Sequence, residues 1–80
     1  MADQEEILTE LRVILGRVTG TPADQVTPEK RFKDDLEVDS LAMLEIVTHA
    51  EDTYHMRLSD DEMEQISTVG DAVDLIAKKA

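Results

Sequence analysis

Eighty residues with a formal net charge of -11 and no cysteine bound the chemistry before any motif is considered. The length suits one domain, residues 1–80, with a single small core. The charge disfavours nucleic acid and anionic membrane as partners and favours basic protein surfaces. The missing cysteine excludes disulfides, zinc-thiolate sites and a cysteine nucleophile. No apolar run approaches the ~20 residues needed to cross a bilayer, so no membrane insertion is expected. The start Met1-Ala2-Asp3-Gln4-Glu5-Glu6 lacks the basic and apolar regions of a secretory signal, and a cytoplasmic location is the expectation.

In chain order, Asp3 is placed to cap a first helix, with Glu6 three residues on as in a capping box. Ile7, Leu11, Ile14 and Val18 then fall on one stripe at about 100° per residue, flanked by Leu8 and Leu15. Gly20 marks the stop. Residues 21–39 form a long connection. In it Thr21-Pro22 and Thr27-Pro28 each read as a cap followed by a first-turn proline, so short helical turns are expected there. Val26, Phe32, Leu36 and Val38 are its apolar anchors, and a loop this long in so small a domain is functional or internally packed.

The second helix is predicted over residues 40–54. Met43, Val47, Ala50 and Tyr54, with Ile46 beside them, make its buried face. Leu41, Glu45, Thr48 and Asp52 share a nearly opposite face, which places Leu41 among acids. Leu44 and Glu51 lie between the two faces. Ser59-Asp60-Asp61-Glu62 opens a short helix anchored by Met63 and Ile66. Thr68 with Asp71 caps the last one, whose core stripe is Val69, Val73 and Ile76 and whose final turn carries Lys78 and Lys79. Nothing alternates with period two for long enough to make a strand. The expected fold is all-α: a bundle of three main helices and one short one, with a long first loop.

The stretch Phe32-Lys33-Asp34-Asp35-Leu36-Glu37-Val38-Asp39-Ser40-Leu41 heads the most acidic part of the chain. From Asp34 to Glu64 there are eleven acids and one base, Arg57. The plain reading of Asp39 or Ser40 is a helix cap. Against it, no Glu or Gln stands three residues on: Ala42 follows Asp39 at that distance and Met43 follows Ser40. An EF-hand reading of Asp34 to Glu45 fails, because Asp39 stands where that loop needs glycine; no metal site is expected. His49 and His55 accompany no nucleophile motif such as G-x-S-x-G, and the chain is not expected to be an enzyme.

Phe32-x-x-Asp35-Leu36-x-x-Asp39-Ser40-Leu41, followed by Glu45, resembles the modification motif of acyl carrier proteins. The resemblance runs over essentially the whole chain, through Tyr54 and Thr68-Val69-Gly70-Asp71, and is strongest to stand-alone carriers of actinobacterial type II fatty acid synthesis. It implies that Ser40 bears 4′-phosphopantetheine, placed there from coenzyme A by a phosphopantetheinyl transferase (holo-acyl-carrier-protein synthase), with Asp39 and Leu41 completing the motif. The arm then carries growing acyl chains as thioesters. By the same resemblance Asp39, Leu41, Glu45, Glu51 and Asp52 meet basic patches on ketosynthases, acyltransferases, reductases and dehydratases. Val47, Ala50, Leu58, Met63 and Ile66 line a gap for the acyl chain, and the carrier works as a monomer.

Three positions depart from the family pattern: Ala42 where an acid is common, Thr48 where an apolar contact is common, and Glu37 where glycine is usual. The last implies a less glycine-like backbone before Ser40. Polyketide or lipopeptide synthesis is the alternative pathway, and Ser40-Leu41-Ala42-x-Leu44-Glu45 also resembles carriers of aromatic polyketide synthases. A non-covalent acidic adaptor is the alternative of another class.

Overall fold

Four helices carry the chain in the computed structural model, which describes residues 3–80. Helix α1 is Gln4–Thr19, α2 Ser40–Tyr54, α3 Asp60–Glu64 and α4 Val69–Lys79, with a 3-10 turn at Ala23–Gln25 in the first loop. Among the described residues there is no strand, only an isolated bridge between Arg31 and Thr68.

Local chemistry sets the helix ends. Asp3 Oδ1 accepts the Glu6 N–H at 2.8 Å, and α1 stops at Gly20, whose φ of 74° is the left-handed conformation glycine adopts without steric cost. Ser59 with Glu62, and Thr68 with Asp71, form complete capping boxes at α3 and α4. The two Asp71 Oδ2 bonds, from Thr68 and Ser67 N–H groups, hold that carboxyl below its usual range.

The core is one contiguous cluster drawn from α1, the first loop, α2 and α4. In α1, Ile7, Leu11, Ile14 and Leu15 are buried, whereas Val18 is half-buried. Leu15, expected as a flank, is therefore a full core member. In α2, Ile46, Val47 and Ala50 are buried, and Met43 and Tyr54 are half-buried. Burial, then the Glu10 and Glu6 carboxylates of α1, push the Tyr54 phenol above its ordinary pKa. In α4, Val69, Ala72, Val73 and Ile76 are buried. Helix α3 has no fully buried residue, but Met63 and, just after the helix, Ile66 are half-buried, and Ile66 packs against the core as the anchor expected of it.

The first loop is packed and hydrogen-bonded throughout. Val26, Phe32, Leu36 and Val38 are all buried, and Arg12 Nε donates to the Val26 carbonyl at 3.0 Å. Thr21-Pro22 leads into the expected short helical turn, Ala23–Gln25, whereas Thr27-Pro28 gives only an isolated turn. Pro22 itself occupies the cap position of the 3-10 turn, with no side-chain cap bond. Thr27-Pro28 forms a turn closed by the Lys30 N–H on the Thr27 carbonyl at 3.1 Å, and the buried Thr27 hydroxyl finds no partner among the described residues. Tertiary bonds claim this segment instead. The Pro28 carbonyl accepts from Gly70, the Lys30 carbonyl from Val69, and the Phe32 N–H donates to Ser67. Gly70 suits this close approach, because a Cβ at that position would stand 3.0 Å from the Pro28 oxygen and push it back by a few tenths of an ångström.

Candidate functional site

Asp39 is the cap of α2 and Ser40 its first helical residue, which settles the division left open by the sequence. The Asp39 Oδ1 accepts the Ala42 N–H at 2.8 Å, so one carboxylate oxygen is committed to the turn. Ser40 is exposed and makes no cap bond. Its neighbours in the first turn carry N–H groups with no partner inside the helix, and the helix dipole adds partial positive charge there.

The segment before Ser40 is rigidly folded on itself. The Arg31 carbonyl accepts from Asp35 and Leu36 N–H groups, both at 3.0 Å, and Val38 N–H donates to Phe32 at 2.7 Å. Asp35 Oδ2 accepts the Arg31 N–H at 2.8 Å. Glu37 has φ 55°. The backbone before Ser40 therefore keeps the left-handed turn that glycine favours, contrary to the expectation drawn from its replacement. The buried side chains of Leu36 and Val38 on either side hold the turn in place, and Glu37 bears the strain.

Two clefts meet at Ser40. The larger, about 730 Å³, lies between α2, α3 and the loop, and its apolar wall includes Phe32, Met43, Leu44, Met63 and Ile66. The smaller is lined by Lys33, Glu37, Val38, Asp39 and Ser40. Of the five residues expected to line an acyl gap, Met63 and Ile66 face the larger cleft, while Val47, Ala50 and Leu58 do not. Those three are buried at 4%, 2% and 8% exposure: the face of α2 carrying Val47 and Ala50 packs inward. Sequence reasoning missed Phe32, Met43 and Leu44 as cleft walls. The signal was present, since residues three and four beyond Ser40 lie on its own helix face.

The outward face of α2 is apolar at its start and acidic beyond. Leu41 is 68% exposed and Leu44 55%, two adjoining apolar side chains with no cover. Glu45, Thr48 and Asp52 are exposed, and Thr48 returns its hydroxyl to the Leu44 carbonyl at 2.9 Å. Glu51 is different. It is half-buried, and its Oε2 accepts the Leu58 N–H at 2.8 Å, tying the α2–α3 loop back to α2. Asp39 and Glu51 thus carry structural bonds as well as charge, whereas Glu45 and Asp52 make no such bond among the described residues. No group of three or more His, Asp or Glu among the described residues could hold a metal ion, and none of their helices is long and apolar enough to cross a membrane.

Comparison with known proteins matches residues 9–76 to the phosphopantetheine attachment site family. An acyl carrier protein of Acidothermus cellulolyticus is 54% identical over 92% of this chain and 88% of its own length. A meromycolate extension acyl carrier protein of Mycolicibacterium smegmatis is 47% identical over 96% of this chain and 78% of its own. The structure of an acyl carrier protein from Enterococcus faecalis superposes with a TM-score of 0.82 at 38% identity, covering 99% of this chain and all of that one. The fold, the serine-headed helix and these likenesses agree: the chain belongs to the phosphopantetheine-binding acyl carrier protein family.

Proposed function

We propose that Ser40 is the residue that bears 4′-phosphopantetheine and that the outward face of α2 presents the loaded arm to the enzymes that act on it. One observation carries this reading: an exposed serine opens a helix where two clefts meet. A phosphoester on Ser40 Oγ would project from the first turn of α2, where unpartnered N–H groups and the helix dipole favour an anion. When bound, the arm supplies a terminal thiol that holds an acyl group as a thioester. With no cysteine in the chain, that thiol has no competitor on the same protein.

The chain's own residues do the rest. The Ser40 Oγ would lose its proton and form the new P–O bond as the pyrophosphate bond of coenzyme A breaks and adenosine 3′,5′-bisphosphate leaves; Asp39 keeps the turn that aims it. Leu41 and Leu44 offer apolar contact next to Ser40, and Glu45 and Asp52 offer charge further along the helix. Exposed ion pairs contribute about 0–1 kcal/mol each. Several of them orient an encounter with a basic enzyme surface and still allow fast release, as a shuttle requires. Phosphopantetheinyl transferase is one such partner. Ketosynthases, acyltransferases, reductases and dehydratases of fatty acid synthesis are the others, met by a cytoplasmic monomer. The larger cleft, walled by Phe32, Met43, Leu44, Met63 and Ile66, shelters the acyl chain between visits.

Incubation with coenzyme A, magnesium and a phosphopantetheinyl transferase should add the mass of one arm to the native chain and nothing to Ser40→Ala. Equal gain in the two proteins, or none in the native one, overturns the assignment. The acyl group found on the arm by mass spectrometry of protein from its own cells then separates fatty acid from polyketide or lipopeptide synthesis.

A further inference from the structure

Ser40 stands among acids, and one cation beside it is uncommitted. The loop supplies Asp34, Asp35, Glu37 and Asp39 in the six positions before the serine. Three of these carboxylates already have partners. Asp34 faces the Arg31 guanidinium at 3.4 Å, Asp35 accepts the Arg31 N–H and Asp39 accepts the Ala42 N–H. Lys33 lies in the same segment, is exposed, and among the described residues has no carboxylate within 4.0 Å of its ammonium. Lys33 and Ser40 are also the two residues that line both clefts. Arg31 borders only the larger cleft and is engaged with Asp34.

A phosphodiester on Ser40 adds a further negative charge at the meeting point of the clefts, favoured by the helix start but repelled by the loop's carboxylates. We propose that Lys33 is the positioning residue for that phosphate, offsetting its charge and holding the root of the arm at the wall shared by the two clefts. This rests on the assignment of the arm to Ser40. A lysine suits the task, because its ammonium is a compact charge on a flexible stem and has no fixed fork to satisfy. It can follow the phosphate as the arm swings between the larger cleft and a partner enzyme. Held at its root, the arm keeps its distal end free.

The test compares arm-free and arm-bearing forms of the native chain, Lys33→Gln and Lys33→Arg, each confirmed by mass. Melting temperature is measured at about 10 mM and about 1 M salt, where the screening length falls from about 30 to about 3 Å. At low salt, the change in Tm on arm attachment should be less favourable in Lys33→Gln than in the native chain by about 2–5 °C. Lys33→Arg should restore it, and 1 M salt should erase the difference. The phosphorus resonance of the arm should move in Lys33→Gln and stay close to native in Lys33→Arg. A change in Tm on arm attachment that is the same in the native chain and Lys33→Gln, or a difference that persists in 1 M salt, overturns the inference while leaving the Ser40 assignment intact. A native chain that gains no arm overturns both.

Discussion

The α1–α4 side and the α3 edge of the molecule are secured in different ways. Helices α1 and α4 each bury four side chains in the common core. Helix α3 buries none. It is held at its surface by the Ser59–Glu62 capping box, by the Lys79 ammonium on Glu62 Oε1 at 2.6 Å, and by the Glu51 bond to the Leu58 N–H just before it. Area removed from water is hard to give up, at roughly 25 cal/mol per Å²; exposed polar bonds are exchanged for water at little cost. The contrast assigns a permanent frame to one side and an adaptable edge to the other. The adaptable edge is the one that walls the larger cleft, through Met63 and Ile66.

The widest separation between the two regions should appear on truncating their side chains. Leu11→Ala removes a side chain that is 1% exposed in the core and should cost about 2–5 kcal/mol, lowering Tm by about 10–40 °C. Met63→Ala removes a half-buried cleft wall and should cost less than about 1.5 kcal/mol. Denaturant melts of the two variants check this. Similar losses would mean that α3 is as much a part of the frame as α1.

Acid should loosen the edge, and with it the Asp71 cap at the start of α4. The Glu62 carboxyl is held down at about 2, chiefly by the Lys79 ammonium and then by the Ser59 N–H. A carboxyl depressed in the folded state contributes stability that is complete above its unfolded value of about 4.5. That contribution is lost as pH falls from there toward 2. Amide exchange in α3 should therefore accelerate across this window. Lys79→Ala should raise the Glu62 midpoint, followed by carboxyl carbon shifts, and narrow the window from below. A Glu62 midpoint unmoved by Lys79→Ala would remove the latch from the account.

These features were legible in the sequence to very different degrees. The extent of α2, the caps at Ser59 and Thr68, and the loop anchors Val26, Phe32, Leu36 and Val38 rest on local spacing, and local spacing decides them. The Thr27-Pro28 signal is just as local, yet Gly70 and Val69 of α4 take the carbonyls around it and leave a turn. The cleft is harder still. Its walls come from the loop, α2, α3 and the α3–α4 connection, and no periodicity within one element states how those pieces meet. Val47 and Ala50 are placed in it only by resemblance to the family; in this chain their apolar side chains turn into the packed interior. Lys33 escaped notice because its nearness to Ser40 depends on the bonds that fold residues 31–38 back on themselves.

The smallest expected effect tests whether strain, too, is unevenly placed. Glu37, on the Ser40 side of the molecule, holds φ 55° with an exposed side chain. A non-glycine residue in this conformation costs roughly 1–2 kcal/mol. Glycine avoids that cost and brings its own, about 0.5–1 kcal/mol of extra freedom in the unfolded chain. Glu37→Gly should therefore stabilise by a net of about 0.5 kcal/mol, a rise in Tm of about 2–4 °C. The substitution also removes a carboxylate from the acidic segment, so Glu37→Gln separates the two causes by keeping the backbone demand while deleting the charge. A rise in the glycine variant alone places strain in the turn that presents Ser40. An equal rise in both transfers the effect to charge repulsion and leaves the backbone there relaxed. His55, the residue after α2, has φ 51° at a helix end, where histidine is among the side chains enriched in this conformation. His55→Gly should then gain less than Glu37→Gly, which would place the larger share of strain next to the serine.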